Sequence, residues 1–404
     1  MDVPEDITPP DSVRDRIALS ERAAHELLSR ITTGQLEIRD TAGVEHCFVG
    51  SRPGPSARVV VREARAARRV LLGGSIGMAE GYMDGEWDTP DLDAVLDLGL
   101  ANILDSGVHI PTPLAPAQRA WHRLRDNTRS GSKRNIAYHY DLGNDFYELW
   151  LDDTMTYSCA AFDEAAEPLE CAQRRKWDRL LELLQPSRRD RLLEIGCGWG
   201  GFAIHAAKEA GCSVTGITLS EEQAALATER VAEAGVSDKV EIRLQDYRDV
   251  PDTFTAIASI EMFEAVGERW WPTFFARIRD LLERGGAAAM QTITIAEERF
   301  ERYRAHPDFT QRYIFPGGML PSPERFKAAA ETQGLSAGEP HFLGKDYAAT
   351  LTRWRERFDA VVPEVLALGF DDRFVRMWRY YLSYCRAGFA AGTIDVMQTR
   401  LDRP

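Results

Sequence analysis

A short glycine-rich segment constrains the fold of this chain more than any other feature. Residues 191–201 read Arg-Leu-Leu-Glu-Ile-Gly-Cys-Gly-Trp-Gly-Gly, so an apolar strand runs directly into closely spaced glycines. Glycine lets the backbone lie close to a ligand because no Cβ intervenes. A helix that begins at such a turn points its N–H groups and the positive end of its dipole at the ligand. The segment therefore predicts a strand–turn–helix unit that binds a nucleoside cofactor.

Two cofactor classes fit this turn. Gly196, Gly198 and Gly201 satisfy the G-x-G-x-x-G dinucleotide pattern, and Glu221 follows at about the distance that this pattern requires of an acid. The motif Glu-x-Gly-x-Gly-x-Gly, which begins at Glu194, is instead the usual motif of class I methyltransferases. We interpret this composition as favouring S-adenosylmethionine, with a dehydrogenase as the alternative.

Composition limits the function classes further. The chain has 404 residues, enough for two or three domains, and its net charge of −14 argues against a nucleic-acid partner. The same charge restricts any attraction to anionic lipid to local patches. No run of 18 apolar residues predicts a membrane span, and the acidic N-terminus lacks the apolar core of a secretory signal. The six cysteines lack metal-binding spacing, so we expect a cytoplasmic protein with reduced thiols and no metal site.

The N-terminal third predicts a small domain and a linker. Residues 1–104 contain a helical pattern over 13–30, three short alternating strands and a second helix near 91–104, which together predict an α+β domain. The composition of residues 105–134 predicts a basic linker, whose last 16 positions contain six Arg or Lys residues and one acidic residue. This stretch is either a solvated linker or a local patch for phospholipid head groups.

Residues 135–404 predict the catalytic domain. From residue 169 onward, helices and strands alternate: we expect a helix over 169–184, strands over 254–260 and 287–294, and amphipathic helices near 346–365 and 372–390. This alternation indicates an α/β class I methyltransferase fold of Rossmann type. Such a fold has a doubly wound, mostly parallel sheet and binds ligands at the carboxyl ends of its strands. The segment at about 295–321 interrupts the alternation and is rich in charged and aromatic residues, so we expect it to form a substrate-channel insert or lid.

Segments after the next two strands complete the predicted cofactor site. The second strand ends at Thr218-Leu219, and Gln223 lies in the first turn of the next helix. We expect Gln223 and the Thr218–Leu219 backbone to contact the ribose and amino-acid parts of the cofactor. Ser220 and Gln223 also fit a capping box, which is a purely structural role. Asp246 and Tyr247 follow the third strand, where an adenine contact is expected. The predicted cofactor residues of these segments are Glu194, Gly196, Gly198, Gly200, Thr218, Leu219, Gln223, Asp246 and Tyr247.

Several ordered motifs between residues 134 and 400 resemble one family. They are Tyr138-His-Tyr-Asp-Leu-Gly-Asn-Asp-Phe-Tyr147, Thr156-Tyr-Ser-Cys159, the glycine turn, Gly216-Ile-Thr-Leu-Ser220, Met262-Phe-Glu264 and Tyr313-Ile-Phe-Pro-Gly-Gly-Met-Leu-Pro321. In these motifs the chain is similar to cyclopropane fatty acid synthases and mycolic acid cyclopropane synthases. The first 105 residues carry no motif of this kind.

The resemblance implies a reaction and its partners. A methyl group passes from S-adenosylmethionine to a cis alkene within a phospholipid acyl chain, and a base then takes a proton from the added methyl to close a cyclopropane ring. In the family, a bound bicarbonate ion is that base, and its charge also stabilises the carbocation. The resemblance further implies peripheral contact with the inner face of the membrane, and it allows a homodimer.

The same resemblance implies the positions that hold the ion. Cys159 and Ile293 match positions that supply backbone N–H groups, Glu264 matches the family's acid, and Tyr347 matches a tyrosine whose hydroxyl binds the ion. Each of them also has an ordinary structural interpretation, as a buried thiol, a strand residue, a helix-start acid and a core aromatic. Tyr157 and Ser158 match positions that flank the cofactor.

Three positions depart from the family pattern. Gln291 stands where histidine is usual, Glu261 where glycine is common, and Ala265 where histidine is frequent. Glutamine forms hydrogen bonds but cannot relay a proton near neutral pH, whereas histidine can. The resemblance keeps a cyclopropane product as the first expectation, and these departures make a methylene- or methyl-branched acyl chain the alternative. A methyltransferase for a small soluble acceptor and an inactive lipid-binding module are the other two hypotheses.

Overall fold

The protein forms two compact units. The structure, a computed structural model, describes residue 20 and residues 22–106, 142–164 and 166–404. The first unit joins the N-terminal residues with Asp371–Ala387, and the second contains the rest of the chain up to Phe370 together with Gly388–Pro404. The predicted catalytic domain, 135–404, therefore loses one helical segment to the N-terminal unit. Polar contacts hold this segment to the N-terminal residues, because Arg376 donates to the carbonyl of Trp87 at 2.9 Å and Arg373 forms an ion pair with Asp84 at 2.8 Å.

The first unit has the predicted α+β character. Its strands are β1 (Thr33–Arg39), β2 (Glu45–Val49), β3 (Arg52–Val61) and β4 (Trp87–Asp88), which pair in the order β2-β1-β3-β4, with β1 and β3 parallel. Residues 22–28 are helical, and the rest of the helix predicted over 13–30 lies largely outside the described residues, as does the basic linker. The other helices are Arg65–Met83, Leu92–Ser106 and, from the far end of the chain, Asp372–Ala390, whose residues up to Ala387 belong to this unit.

The second unit contains the predicted doubly wound sheet. Its strands are β5 (Arg191–Ile195), β6 (Ser213–Thr218), β7 (Val240–Leu244), β8 (Phe254–Ile260), β9 (Leu282–Ile295), β10 (Ser336–Ala337), β11 (His341–Phe342) and β12 (Ile394–Asp402). These eight strands assemble in the order β10-β12-β9-β8-β5-β6-β7, with β11 paired to β12. The pairs among β5 to β9 are parallel, and the terminal strand β12 runs antiparallel to β9.

Helices cover both faces of this sheet. Two apolar clusters bury the sheet, one containing Phe263, Phe274 and Phe275, and the other containing Trp177 and Phe202. Strand β5 is almost wholly buried because it lies between them, which explains its continuous apolar sequence. The helices are Asn144–Glu148, Leu169–Leu184, Gly201–Glu209, Glu221–Glu233, Trp271–Leu281, Glu297–Ala305, Phe309–Tyr313, Pro323–Thr332, Gly344–Ala360 and Val362–Ala367.

Two details of the second unit concern the predicted insert and the helices after it. The segment 295–321 contains the helices Glu297–Ala305 and Phe309–Tyr313, and the side chains of Phe300 and Phe309 are buried. The helix expected over 346–365 is divided into two, because Pro363 stands at the start of the second piece and cannot continue a helix. Within the described part of the chain, no helix is both long enough and apolar enough to cross a membrane.

The order of the strands indicates where a ligand binds. Strand β5 pairs with β6 on one side and with β8 on the other, so the direction of winding reverses there. In open α/β sheets, ligands bind beyond the carboxyl ends of the strands at this switch point. The glycine turn, Gly196 to Gly200, follows β5 at this place.

Candidate active site

The glycine turn forms an open cradle. Gly196, Gly198 and Gly200 have φ angles of 83°, 51° and 81°, a left-handed region that other residues rarely adopt. The N–H groups of Gly196 and Cys197 both donate to the carbonyl of Ile217 at 3.0 Å, which ties the turn to β6. A Cβ atom placed on Gly198 would meet no atom of the described residues within 4 Å. The turn is therefore tied to β6, and the described part of the chain leaves the space beside Gly198 open for a ligand.

Glu194 supplies a hydrogen-bond acceptor beside this cradle. Its side chain is 3% exposed, and its Oε2 atom has no hydrogen-bond partner among the described residues. Burial raises the pKa of this carboxyl well above its ordinary value, against the opposing effects of the Ala203 backbone and the charge of Lys176. A buried acceptor without a partner costs about 1–3 kcal/mol. The ammonium and hydroxyl groups of S-adenosylmethionine are donors of the kind that would satisfy it, so the residues present fit this cofactor.

The loop after β6 is arranged around Thr218. Its hydroxyl donates to Oε1 of Gln223 at 2.8 Å and accepts from the N–H of Ser220 at 3.2 Å. Ser220 caps the following helix by accepting from the N–H of Gln223. Only half of the predicted capping box forms, because the Gln223 side chain bonds to Thr218 and leaves the Ser220 N–H to the same hydroxyl. Leu219 remains partly exposed. The cofactor contacts expected of Leu219 and Gln223 stay predictions.

The segment after β7 holds Asp246 and Tyr247. The carboxylate of Asp246 accepts from the Arg248 guanidinium at 2.6 Å and 2.8 Å, and it caps the short 3₁₀ helix that begins at Tyr247. The Tyr247 ring packs on Phe274, and burial raises the pKa of its hydroxyl to about 12. Each residue thus has a structural role, and their contact with adenine stays a prediction.

Tyr157 and Ser158 differ in their surroundings. The ring of Tyr157 lies against Trp150 and Trp354, with centroids 5.7 Å and 5.2 Å away, so it belongs to a wall of aromatic side chains. The hydroxyl of Ser158 accepts from Nζ of Lys176 at 2.7 Å. Lys176 is fully buried, and burial lowers the pKa of its ammonium to about 8. The side chain of Ser158 therefore contacts a buried cation.

Two of the four residues predicted to bind bicarbonate, Cys159 and Tyr347, converge on Glu261 together with Gln291. Its Oε1 atom accepts from the N–H of Cys159 and from Nε2 of Gln291, both at 2.8 Å, and its Oε2 atom accepts from the hydroxyl of Tyr347 at 2.8 Å. The donors expected to hold a free ion thus hold a carboxylate of the chain itself. The residues present do not fit a bound bicarbonate, and this part of the prediction is corrected.

Glu264 and Ile293, the other two predicted ion ligands, pair with each other. The N–H of Ile293 donates to Oε1 of Glu264 in a short hydrogen bond, and Oε2 is buried with no partner in the described parts of the chain. Burial, followed by the negative charge of Glu261, raises the pKa of Glu264 to about 8. The group is therefore mostly protonated at neutral pH.

Sequence reasoning missed two residues of this cluster. Gln398 on β12 donates to Oε1 of Gln291 at 2.8 Å and to the carbonyl of Lys176 at 3.3 Å. This contact orients the Gln291 amide so that its NH₂ group faces Glu261. No local pattern marked Gln398, which lies in an ordinary strand, or Lys176, which lies in an amphipathic helix. Glu261 was marked by its position where glycine is common, but no local pattern predicted a role for it.

The fold and the site define a class of protein. Three features are those of a class I S-adenosylmethionine-dependent methyltransferase: the parallel sheet with an antiparallel terminal strand, the open glycine cradle at the switch point, and the buried Glu194 oxygen that has no partner among the described residues. Within that class, residues 127–399 match the family model described as mycolic acid cyclopropane synthetase, and the chain belongs to this family.

Individual relatives cover nearly the whole chain. It is 41% identical over 399 residues to tuberculostearic acid methyltransferase UfaA1 of Mycobacterium tuberculosis, which covers 96% of this chain and 92% of that protein. It is 37% identical over 386 residues to cyclopropane-fatty-acyl-phospholipid synthase of Escherichia coli, covering 95% and 93%. Among solved structures, mycolic acid cyclopropane synthase CmaA1 in complex with SAH and CTAB matches with a TM-score of 0.63 and 31% identity, over 67% of this chain and 97% of that one. The predicted family, fold class and enzyme class are confirmed.

Proposed function

We propose that this enzyme transfers a methyl group from S-adenosylmethionine to a cis double bond in the acyl chain of a phospholipid. The observation that carries the proposal is a buried carboxyl cluster beside the cofactor cradle. A Cβ atom on Gly196 would lie 2.8 Å from the side chain of Met262, so the segment that bears Glu261 and Glu264 adjoins the turn directly. Methylation of an alkene carbon, unlike that of an amine, needs a group that afterwards takes a proton from carbon.

The names of the relatives support a lipid acceptor. One acts as a tuberculostearic acid methyltransferase and another as a cyclopropane-fatty-acyl-phospholipid synthase. Aromatic side chains next to the carboxyl cluster suit such an acceptor, because their faces attract the carbocation that forms on the chain. Tyr347 packs on Phe389 with centroids 4.4 Å apart, and Tyr157 adjoins Trp354. A small polar acceptor would need hydrogen-bonding groups in their place.

The proposed reaction has two stages, which are transfer of the methyl group and loss of a proton. S-adenosylmethionine supplies an electrophilic methyl group. When the alkene attacks this methyl, a carbon–carbon bond forms, the sulfur–carbon bond breaks and the neighbouring chain carbon becomes cationic. Loss of a proton from the new methyl group then closes a ring onto the cationic carbon. If a hydride first moves from the methylated carbon to its cationic neighbour, loss of a proton from the new methyl group gives a methylene branch on the open chain.

We infer that the principal product is the methylene-branched chain, which was the alternative expected from the sequence. Two residues of the carboxyl cluster, Glu261 and Gln291, depart from the ring-forming pattern, and the chain shares 41% identity with a tuberculostearic acid methyltransferase. Cyclopropane formation is the second candidate, and 37% identity with a cyclopropane synthase over most of the chain favours it.

Contact with the inner face of the membrane is a further part of the proposal. A phospholipid acceptor requires it, and the basic stretch 119–134, which lies outside the described residues, is its candidate. Reversal of Arg123 and Arg125 to glutamate should weaken flotation with anionic liposomes, and undiminished binding would exclude this stretch. Association as a homodimer also stays a prediction.

A labelled methyl donor tests the reaction. The purified enzyme is incubated with dioleoyl phospholipid liposomes and S-adenosylmethionine that carries a trideuterated methyl, and with distearoyl liposomes as the control. We expect acyl chains that retain two of the three deuterium atoms, and only with the unsaturated lipid. Ozone cleaves a methylene product and leaves a ring intact, which separates the two candidates. No deuterium in any lipid, together with transfer to a soluble acceptor, would refute the proposal.

A further inference from the structure

Glu261 stands at a backbone position that disfavours its side chain. Its φ angle is 49°, and within the described residues only Met155 and Gln185 share a positive φ without being glycine. The residue directly follows β8, and its N–H donates to the carbonyl of Gln291 at 2.8 Å, so its conformation is fixed by the sheet. A side chain kept in such a conformation costs about 1–3 kcal/mol, and residues of this kind cluster at functional sites.

The hydrogen bonds to Glu261 leave one oxygen with free capacity. Each carboxylate oxygen has two lone pairs. Oε1 uses both, because it accepts from Cys159 and Gln291, whereas Oε2 accepts one hydrogen bond, from Tyr347, among the described residues. Since these donors come from a loop, a strand and a helix, the carboxylate is held without freedom to rotate. Oε2 is therefore the atom that can take a proton.

We propose that the carboxylate of Glu261 is the base of the reaction, in the place that a bicarbonate ion takes in the family. This inference rests on the proposed function and adds to it a catalytic residue and the absence of a separate anion. Oε2 accepts the proton from the added methyl group, and the carbon–hydrogen electron pair forms the new bond at the cationic carbon. The reaction thus ends with a neutral carboxylic acid and a neutral lipid tail.

The surroundings of Glu261 suit this role. Before proton transfer, its negative charge lies near the positive chain carbon and stabilises it. Burial raises the pKa of Glu261, and the nearby charge of Lys176 and the three hydrogen bonds oppose this rise. The result is a carboxylate of increased basicity that keeps its orientation.

Two substitutions of Glu261 distinguish a carboxylate base from a bound bicarbonate ion. Glu261→Gln keeps the shape and fills the site without a base, so methyl transfer should fall by at least about a hundredfold, and added bicarbonate should not restore it. Glu261→Gly suits the positive φ and vacates the site while the donors of Cys159, Gln291 and Tyr347 remain. This variant should be inactive in bicarbonate-free buffer and regain activity when bicarbonate is added. Glu268→Gln, outside the cluster, is the matched control.

Binding of ¹³C-labelled bicarbonate, followed by NMR line broadening, gives a readout that does not need turnover. The wild-type protein should not broaden the signal, and Glu261→Gly should. The inference is overturned if wild-type activity depends on bicarbonate, if the wild-type protein binds the ion, or if Glu261→Gln keeps activity within tenfold of wild type. Absence of lipid methylation by the wild-type enzyme would instead refute the proposed function, and the binding experiment would still decide the role of Glu261.

Discussion

Substitution of Glu264 by glutamine tests the electrostatics of the site most directly. Its Oε2 atom is buried without a partner in the described structure, and the pKa of its carboxyl rises from 4.5 to about 8. The folded protein therefore holds a proton on Glu264 at pH values where the unfolded chain has released it. The stabilising effect of this proton is complete below pH 4.5 and is lost as pH rises toward 8.

The magnitude follows from linkage. Between the two pKa values, the free energy of unfolding falls by about 1.4 kcal/mol for each pH unit. From pH 5 to pH 7.5, this group alone lowers the stability of the wild-type protein by about 3 kcal/mol. Glu264→Gln has no proton to lose, so its stability relative to wild type should rise by that amount over the same interval.

Urea unfolding followed by tryptophan fluorescence at several pH values measures this difference. The exposed Glu324→Gln is the control, and its stability should run parallel to that of wild type. If the curve of Glu264→Gln also ran parallel to wild type between pH 5 and pH 7.5, the inference that burial protonates Glu264 would be wrong.

Three further predictions concern the cradle and its neighbours. Gly198→Ala and Gly235→Ala both place a side chain at positive φ, with no atom of the described residues within 4 Å, so each should lose about 1 kcal/mol of stability. Only Gly198→Ala should weaken S-adenosylhomocysteine binding, by at least tenfold in calorimetry. Gln291→His should retain methyl transfer in the liposome assay, with an unchanged or larger share of ring product, and complete loss would contradict the role assigned to this position. Lys176→Met removes a buried ammonium whose pKa falls from 10.5 to about 8. The free energy of unfolding of the wild-type protein should rise by about 3 kcal/mol between pH 7 and pH 10.5 because of this group, and Lys176→Met should abolish that rise. The exposed Lys208→Met is the control and should keep it.

Local sequence patterns predicted much of the catalytic unit. The helix expected over 169–184 and the strand expected over 254–260 have those bounds in the structure. Both have strong periodic or continuous apolar patterns, and neighbouring residues alone determine such patterns. Strand β9 begins earlier than the predicted 287, because Leu282 pairs with Phe254 across a glycine-containing irregularity that carries no strand pattern.

The cofactor cradle could also be found from the sequence, since its glycines and Glu194 lie within seven consecutive residues. The carboxyl cluster could not. Cys159, Glu261, Gln291 and Tyr347 are separated by up to 188 positions, and the resemblance to a family suggested an ion between them where the structure has a side chain.

The sequence by itself determined the strand–turn–helix unit, the order of the helices and strands and the family, because each depends on residues that are close in the chain. Only the tertiary structure decided which donors meet Glu261, how Gln398 orients Gln291 and why Glu264 holds a proton. These properties depend on burial and on distances between strands β8, β9 and β12 and the helix Gly344–Ala360, and such distances exist only once the sheet has assembled.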